Sequence, residues 1–230
     1  MNKFNGIIFD FNGVLLWDSP LQEKSWVEPS QKLRGKAFSK DEIVNIVHGR
    51  PNKAVFEYLL SRPVVGEELN QLIQYKESKY RSLCLLHSED FKLSPGAVDF
   101  LDFVVKQNIP HTIATASEKS NLDFFIKHLK LDHWFDIAKI VYDDGKLLGK
   151  PNPDIYLKAA ENIGLKPQNC VVVEDAVSGI AAAYGAGIGK IIALGCQNDH
   201  DRLRNIEGVD IAITQINKIP KEYFKHGVKS

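Results

Sequence analysis

Carboxylates, hydroxyls and one lysine stand at the ends of apolar runs in this 230-residue chain. Asp10 follows Ile7, Ile8 and Phe9, which read as a buried strand, and Gly13 then permits a sharp turn. Glu174 and Asp175 close a second apolar run, Cys170 to Val173, and a small-residue segment from Ser178 to Gly187 follows. Thr115 and Ser117 end a third strand that starts at His111, and Lys150 precedes a helix that Asn152 can cap and Pro153 can open. Open α/β sheets place their chemistry at the carboxyl ends of strands. A carboxylate there can attack as a nucleophile or ligate a hard metal ion. Three carboxylates, a hydroxyl and a fixed cation suit magnesium and a phosphoryl group. Each residue alone has a blander use: Asp and Glu cap helices, a lysine is ordinarily solvated, and threonine is common in strands.

These four motifs, in this order, resemble the haloacid dehalogenase superfamily, in particular its phosphatase and β-phosphoglucomutase-like branch with a helical cap. The resemblance covers nearly the whole chain. It implies that Asp10 is the nucleophile and a magnesium ligand, and that Thr115, with Ala116 and Ser117 beside it, binds phosphate. It also implies that Lys150 steadies nucleophile and phosphate, and that Glu174 and Asp175 hold the metal, Asp175 the more directly. The expected activity is a magnesium-dependent phosphatase acting on a small phosphorylated metabolite through an aspartyl-phosphate. The alternatives are a β-phosphoglucomutase-like sugar-phosphate mutase and a non-catalytic relative that binds phosphometabolites.

Asn12 departs from the family pattern, in which a second aspartate two residues after the nucleophile protonates the leaving group and later activates water. The backbone carbonyl of Asn12 can still ligate magnesium, but its carboxamide cannot trade a proton near neutral pH. Losing a positioned general acid and base typically costs roughly 10²–10⁴-fold in rate. The Asn12-Gly13 pair is also chemically prone to deamidation, which would create an aspartate after synthesis.

From about Leu16 to Phe91 the apolar positions recur at helical spacing, as in Ile43, Ile46 and Val47 or Val55, Phe56, Leu59 and Leu60. Beyond Ser94-Pro95-Gly96, strands alternate with helices: Ile113 to Thr115, Val141-Tyr142, Val171 to Val173, Ile191 to Leu194 and Ile211 to Ile213. The expected fold is therefore α/β, a Rossmann-like parallel sheet with helices on both faces, formed by residues 1–15 and 93–230, with 16–92 as an inserted helical cap. A cap over an open sheet would make the active site a closable cleft. His48-Gly-Arg-Pro-Asn-Lys is similar to the cap loop of relatives, making Arg50, Asn52 and Lys53 candidates for a distal anionic group. A Schiff base on Lys53, as in carbon–phosphorus hydrolysis, is a further reading that dispenses with the second aspartate.

Composition bounds the rest. Hydrophobic residues make up 44% of the chain, and 29 basic side chains balance 29 acidic ones, so a basic nucleic-acid platform is unsupported. The three cysteines show no paired spacing, which suits a reducing compartment. No secretory or membrane-spanning run is visible, so the expected protein is cytoplasmic, monomeric or a weak dimer, with no nucleic-acid or membrane partner. Gly145 to Pro151 fails as a phosphate loop because its glycines are one residue too close. Trp17 and Trp26 read as packing residues. Ser117-Glu118-Lys119 differs from the mutase-like pattern and adds a negative charge, which favours phosphatase over mutase.

Overall fold

The computed structural model describes residues 3–48 and 50–224. In chain order the elements are β1 (Gly6–Phe9), α1 (Ser19–Arg34), α2 (Lys40–Glu42), a π-helical turn (Ile43–Val47), α3 (Asn52–Leu60) and α4 (Gly66–Leu86). They continue with α5 (Ala97–Lys106), β2 (His111–Glu118), α6 (Lys119–Leu129), β3 (Val141–Asp143), α7 (Asp154–Asn162), β4 (Cys170–Glu174), α8 (Val177–Gly185), β5 (Lys190–Leu194), α9 (His200–Arg204) and β6 (Ile211–Ile213). Two compact units emerge, Met1–Trp17 with Leu93–Ser230, and Asp18–Lys92. Leu16 groups with the first unit because it bridges Leu93 and Asn12.

The first unit is a six-stranded parallel sheet of order β3-β2-β1-β4-β5-β6. Strands covered on both faces must be apolar throughout, and Ile7, Ile8, Phe9, Val171, Val172 and Val173 are wholly buried. Each such side chain contributes about 1.5–3 kcal/mol relative to exposure. Alternation sends Ile8 into a cluster with Ile155, Tyr156, Ala159, Ala160 and Ile180 of α7 and α8. Phe9 on the opposite face meets Phe100 of α5 and Phe135, each with ring centroids 6.3 Å away. Helices thus cover both faces. In the register, Phe9 pairs with Ile113 and Val173, so β1 and β4 close side by side at Asp10 and Glu174, while β2 runs on to Glu118 and carries Thr115 two residues past the Phe9 pairing.

The second unit is helical, with no strand among its described residues. Trp26, Val47, Val55, Phe56, Leu59 and Ile73 form its core, with Trp26 against Phe38 and Phe56. Ser39 and Glu42 make a capping box for α2, and Arg34 grips Glu42 with two bonds of 2.5 and 2.9 Å. Trp26 packs as expected. Trp17 does so only in part, since 42% of its surface is exposed. Among the described residues, no helix is long and apolar enough to cross a membrane.

Candidate active site

The edge formed by β1 and β4 gathers charge. Lys150, almost wholly buried, donates from Nζ to Asp10 Oδ1 at 2.6 Å and to Glu174 Oε1 at 2.5 Å. The Lys150-Pro151 peptide bond is cis. Asn152 accepts the Asp154 N–H at 3.2 Å, but α7 begins at Asp154 with Pro153 at its N-cap position, so neither the expected Asn152 cap nor the Pro153 opening is found. Glu174 accepts a further bond at Oε1 from the Tyr156 hydroxyl, at 2.9 Å. Its Oε2 accepts the backbone N–H groups of Asp175 and Ala176, both at 2.8 Å.

Two glycines make room for these acids. A methyl group at Gly13 would overlap the carboxyl of Asp175, and Gly13 also takes a left-handed φ of 87° at the turn after β1. A methyl group at Gly179, in the first turn of α8, would overlap the carboxyl of Glu174. Within the small-residue segment after β4, Gly179 is therefore a spatial requirement of Glu174.

Burial raises the Asp10 carboxyl from 3.8 to about 7, with Lys150 opposing that rise and Glu174 adding to it. Asp175 is pushed well above the ordinary carboxylate value by desolvation and then by Glu174 and Asp10. Desolvation would lower Lys150, but Asp10 and Glu174 outweigh it and hold the ammonium well above its usual value. Asp10, Glu174 and Asp175 bring carboxylate oxygens within 4.8 Å of one another, against a single ammonium. That surplus of clustered hard oxygen donors fits a magnesium ion.

Ser117 and Asn12 meet beside this cluster, with Ser117 Oγ donating to Asn12 Oδ1 at 2.8 Å. Thr115 is buried and accepts the Ser117 N–H at 3.1 Å, which leaves its own hydroxyl hydrogen to donate. Ala116 lies between them on β2. Arg50, Asn52 and Lys53 belong to the other unit. Asn52 donates to Glu77 at 2.7 Å, and Glu77 in turn pairs with buried Lys76 at 3.0 Å. Lys53 is half-exposed and 3.9 Å from Glu57, and Arg50 is exposed. His48 contacts Glu23 at 3.1 Å, and the neighbouring Gly49 lies outside the described residues.

The family model of haloacid dehalogenase-like hydrolases matches residues 4–187. The chain belongs to that family. Among haloacid dehalogenase-like hydrolases of known structure, it is similar to a family IA, variant 3 hydrolase from Entamoeba histolytica. The two share 38% identity and a TM-score of 0.85, over 97% of each chain. It is also similar to a β-phosphoglucomutase from Clostridium difficile, with 25% identity and a TM-score of 0.79 over 96% of this chain and 95% of that one. Its curated relatives include a fructose-1-phosphate phosphatase of Escherichia coli, 30% identical over 82% of this chain and 96% of its own. A phosphorylated carbohydrates phosphatase of Thermotoga maritima is 29% identical over 80% of this chain and 82% of its own.

Tyr156 lies outside the sequence motifs that carry the other residues of this cluster. Its signal is a phenol on the buried face of α7, beside Ile155, Ala159 and Ala160, where only apolar groups are otherwise found.

Proposed function

We propose that this chain is a magnesium-dependent phosphatase for a small phosphorylated sugar or related metabolite, working through a phosphoryl group carried on Asp10. The observation that carries this reading is the Asp10, Lys150, Glu174 and Asp175 cluster at the carboxyl ends of β1 and β4. The phosphatases among its relatives support the choice of substrate class.

In this reading Asp10, the Asn12 carbonyl and Asp175 hold magnesium, with Glu174 beside them. When bound, the ion neutralises negative charge between phosphate and nucleophile and polarises a phosphoryl oxygen. Lys150 keeps positive charge on Asp10, and the Thr115 hydroxyl donates to a phosphoryl oxygen. Ala116 and Ser117 line that oxygen's place. Asp10 attacks phosphorus, the leaving oxygen departs, and water then hydrolyses the acyl phosphate. Splitting the displacement in two lowers a very high barrier. Asn12 supplies no proton to the leaving group and no base for the water, so both halves run slowly.

Arg50 and Lys53 carry our proposal for a distal anionic group, Asn52 supporting them from within the Glu77 pair. The β-phosphoglucomutase reading is secondary, because the Ser117 hydroxyl is taken by Asn12 and Glu118 adds negative charge beside it. A phosphometabolite-binding role without turnover is favoured by Asn12 alone. The experiment is magnesium-dependent hydrolysis of an aryl phosphate by the parent and by Asp10→Ala. Hydrolysis that survives equally in Asp10→Ala removes Asp10 from the mechanism.

A further inference from the structure

Lys150 Nζ and the Tyr156 hydroxyl share one acceptor, Glu174 Oε1, at 2.5 and 2.9 Å. The same ammonium lies 5.2 Å from the centroid of the Tyr156 ring, within the range of a cation–π contact. Tyr156 and Glu174 are both wholly buried. With the Asp175 and Ala176 N–H groups on Oε2, four protein donors occupy the four lone-pair positions that a carboxylate offers. Glu174 is thereby a junction of hydrogen bonds, and Asp175 is the acid better able to turn an oxygen toward a metal ion.

We propose that Tyr156 is a positioning residue that acts through Glu174 and its own ring face to keep the Lys150 ammonium on Asp10. The inference rests on the phosphatase reading and extends it to a side chain on α7. A lysine is a point charge on a flexible four-carbon stem, so its charge is only as well placed as its surroundings make it. Two carboxylates compete for this ammonium. The tyrosine hydroxyl shares Oε1, which weakens the competition of Glu174 for Nζ, while the ring bounds the ammonium on another side. Without the hydroxyl, Glu174 Oε1 has one donor fewer and holds the ammonium more strongly, so the bond from Nζ to Asp10 lengthens and the charge facing the nucleophile weakens. Preorganised charge of this kind acts on the transition state more than on substrate binding.

Tyr156→Phe keeps the ring and removes only the hydroxyl. With 2,4-dinitrophenyl phosphate and magnesium, kcat should fall roughly ten- to a hundredfold, the range for one hydrogen bond to a charged group, while KM stays within about twofold. In a Lys150→Met background the same change should cost nothing more, because there is no ammonium left to place. A parent-like Tyr156→Phe enzyme, or an equal loss in both backgrounds, overturns the proposal. The nitrogen-15 resonance of the Lys150 ammonium, assigned by its absence from Lys150→Met, gives a readout independent of turnover. It should shift in Tyr156→Phe, and an unchanged resonance overturns the proposal. A shifted resonance in a parent with no Asp10-dependent hydrolysis supports the positioning role and overturns the phosphatase reading alone.

Discussion

Ser117 on β2 grips Asn12 after β1, donating from Oγ to the amide Oδ1 at 2.8 Å. A hydroxyl donates to a carboxylate oxygen as readily as to an amide oxygen, so an aspartate at this position would be held in the same place. In the mechanism we propose, this is the place of an acid and base, and the amide that fills it cannot exchange protons.

Asn12→Asp should raise steady-state turnover of an aryl phosphate by roughly 10²–10⁴-fold, the usual worth of a positioned general acid and base. KM should change less, because the carboxyl acts on protons in transit. Intact mass must precede the kinetics, since deamidation of a small fraction at Asn12-Gly13 would supply the parent's apparent activity. A verified parent as fast as its Asp variant would assign the proton transfer to another group. An inert Asp variant would favour the phosphometabolite-binding role.

Leaving groups that depart without a proton should lose least from the missing acid. The kcat/KM of aryl and acyl phosphates, which reports formation of the phosphoenzyme, should therefore exceed that of alkyl phosphates and should fall across substituted phenyl phosphates as the leaving-group pKa rises. A flat plot, with formation of the intermediate shown to limit the rate, contradicts the role given to Asn12.

Magnesium should stabilise the fold, because three carboxylates within 4.8 Å face one ammonium. At a free concentration about a hundred times the dissociation constant, a ligand that binds only the folded state adds about 2.7 kcal/mol. Melting in magnesium and in EDTA reads this directly. The difference should collapse in Asp175→Ala, and an unchanged difference would remove Asp175 from the metal site.

Gly179→Ala should displace Glu174, whose carboxyl occupies the space of the added methyl. Overpacking of this kind costs about 1–3 kcal/mol, and turnover should fall with it as Lys150 loses an anchor. Gly185→Ala is the control, since at the end of the same helix its methyl would meet nothing nearer than 3.7 Å. It should be neutral or stabilising by up to about 1 kcal/mol. Equal effects at the two positions would contradict the packing argument.

The strands were legible because a sheet buried on both faces demands continuous apolar runs. Ile7 to Phe9, Val171 to Val173 and Ile191 to Leu194 lie within β1, β4 and β5. The expected Ile113 to Thr115 is the middle of a longer β2, whose ends pair His111 with Ile7 and Glu118 with Asp143. Pairing partners are set by strand order, which local periodicity does not encode. The same reason hid Tyr156, since 18 residues of sequence separate it from Glu174 and only the packing of α7 beside β4 closes the gap. The π-helical turn at Ile43–Val47 reads as an ordinary helix, because one widened turn leaves the apolar spacing almost unchanged.

The most direct measurement is intact mass of the protein quenched during turnover of an aryl phosphate with magnesium. The parent should carry one phosphoryl group that decays slowly, Asp10→Ala should carry none, and Asn12→Asp should form and lose it quickly. Hydrolysis with no phosphoprotein in any variant, at a rate that Asp10→Ala leaves unchanged, would contradict an aspartyl-phosphate at Asp10.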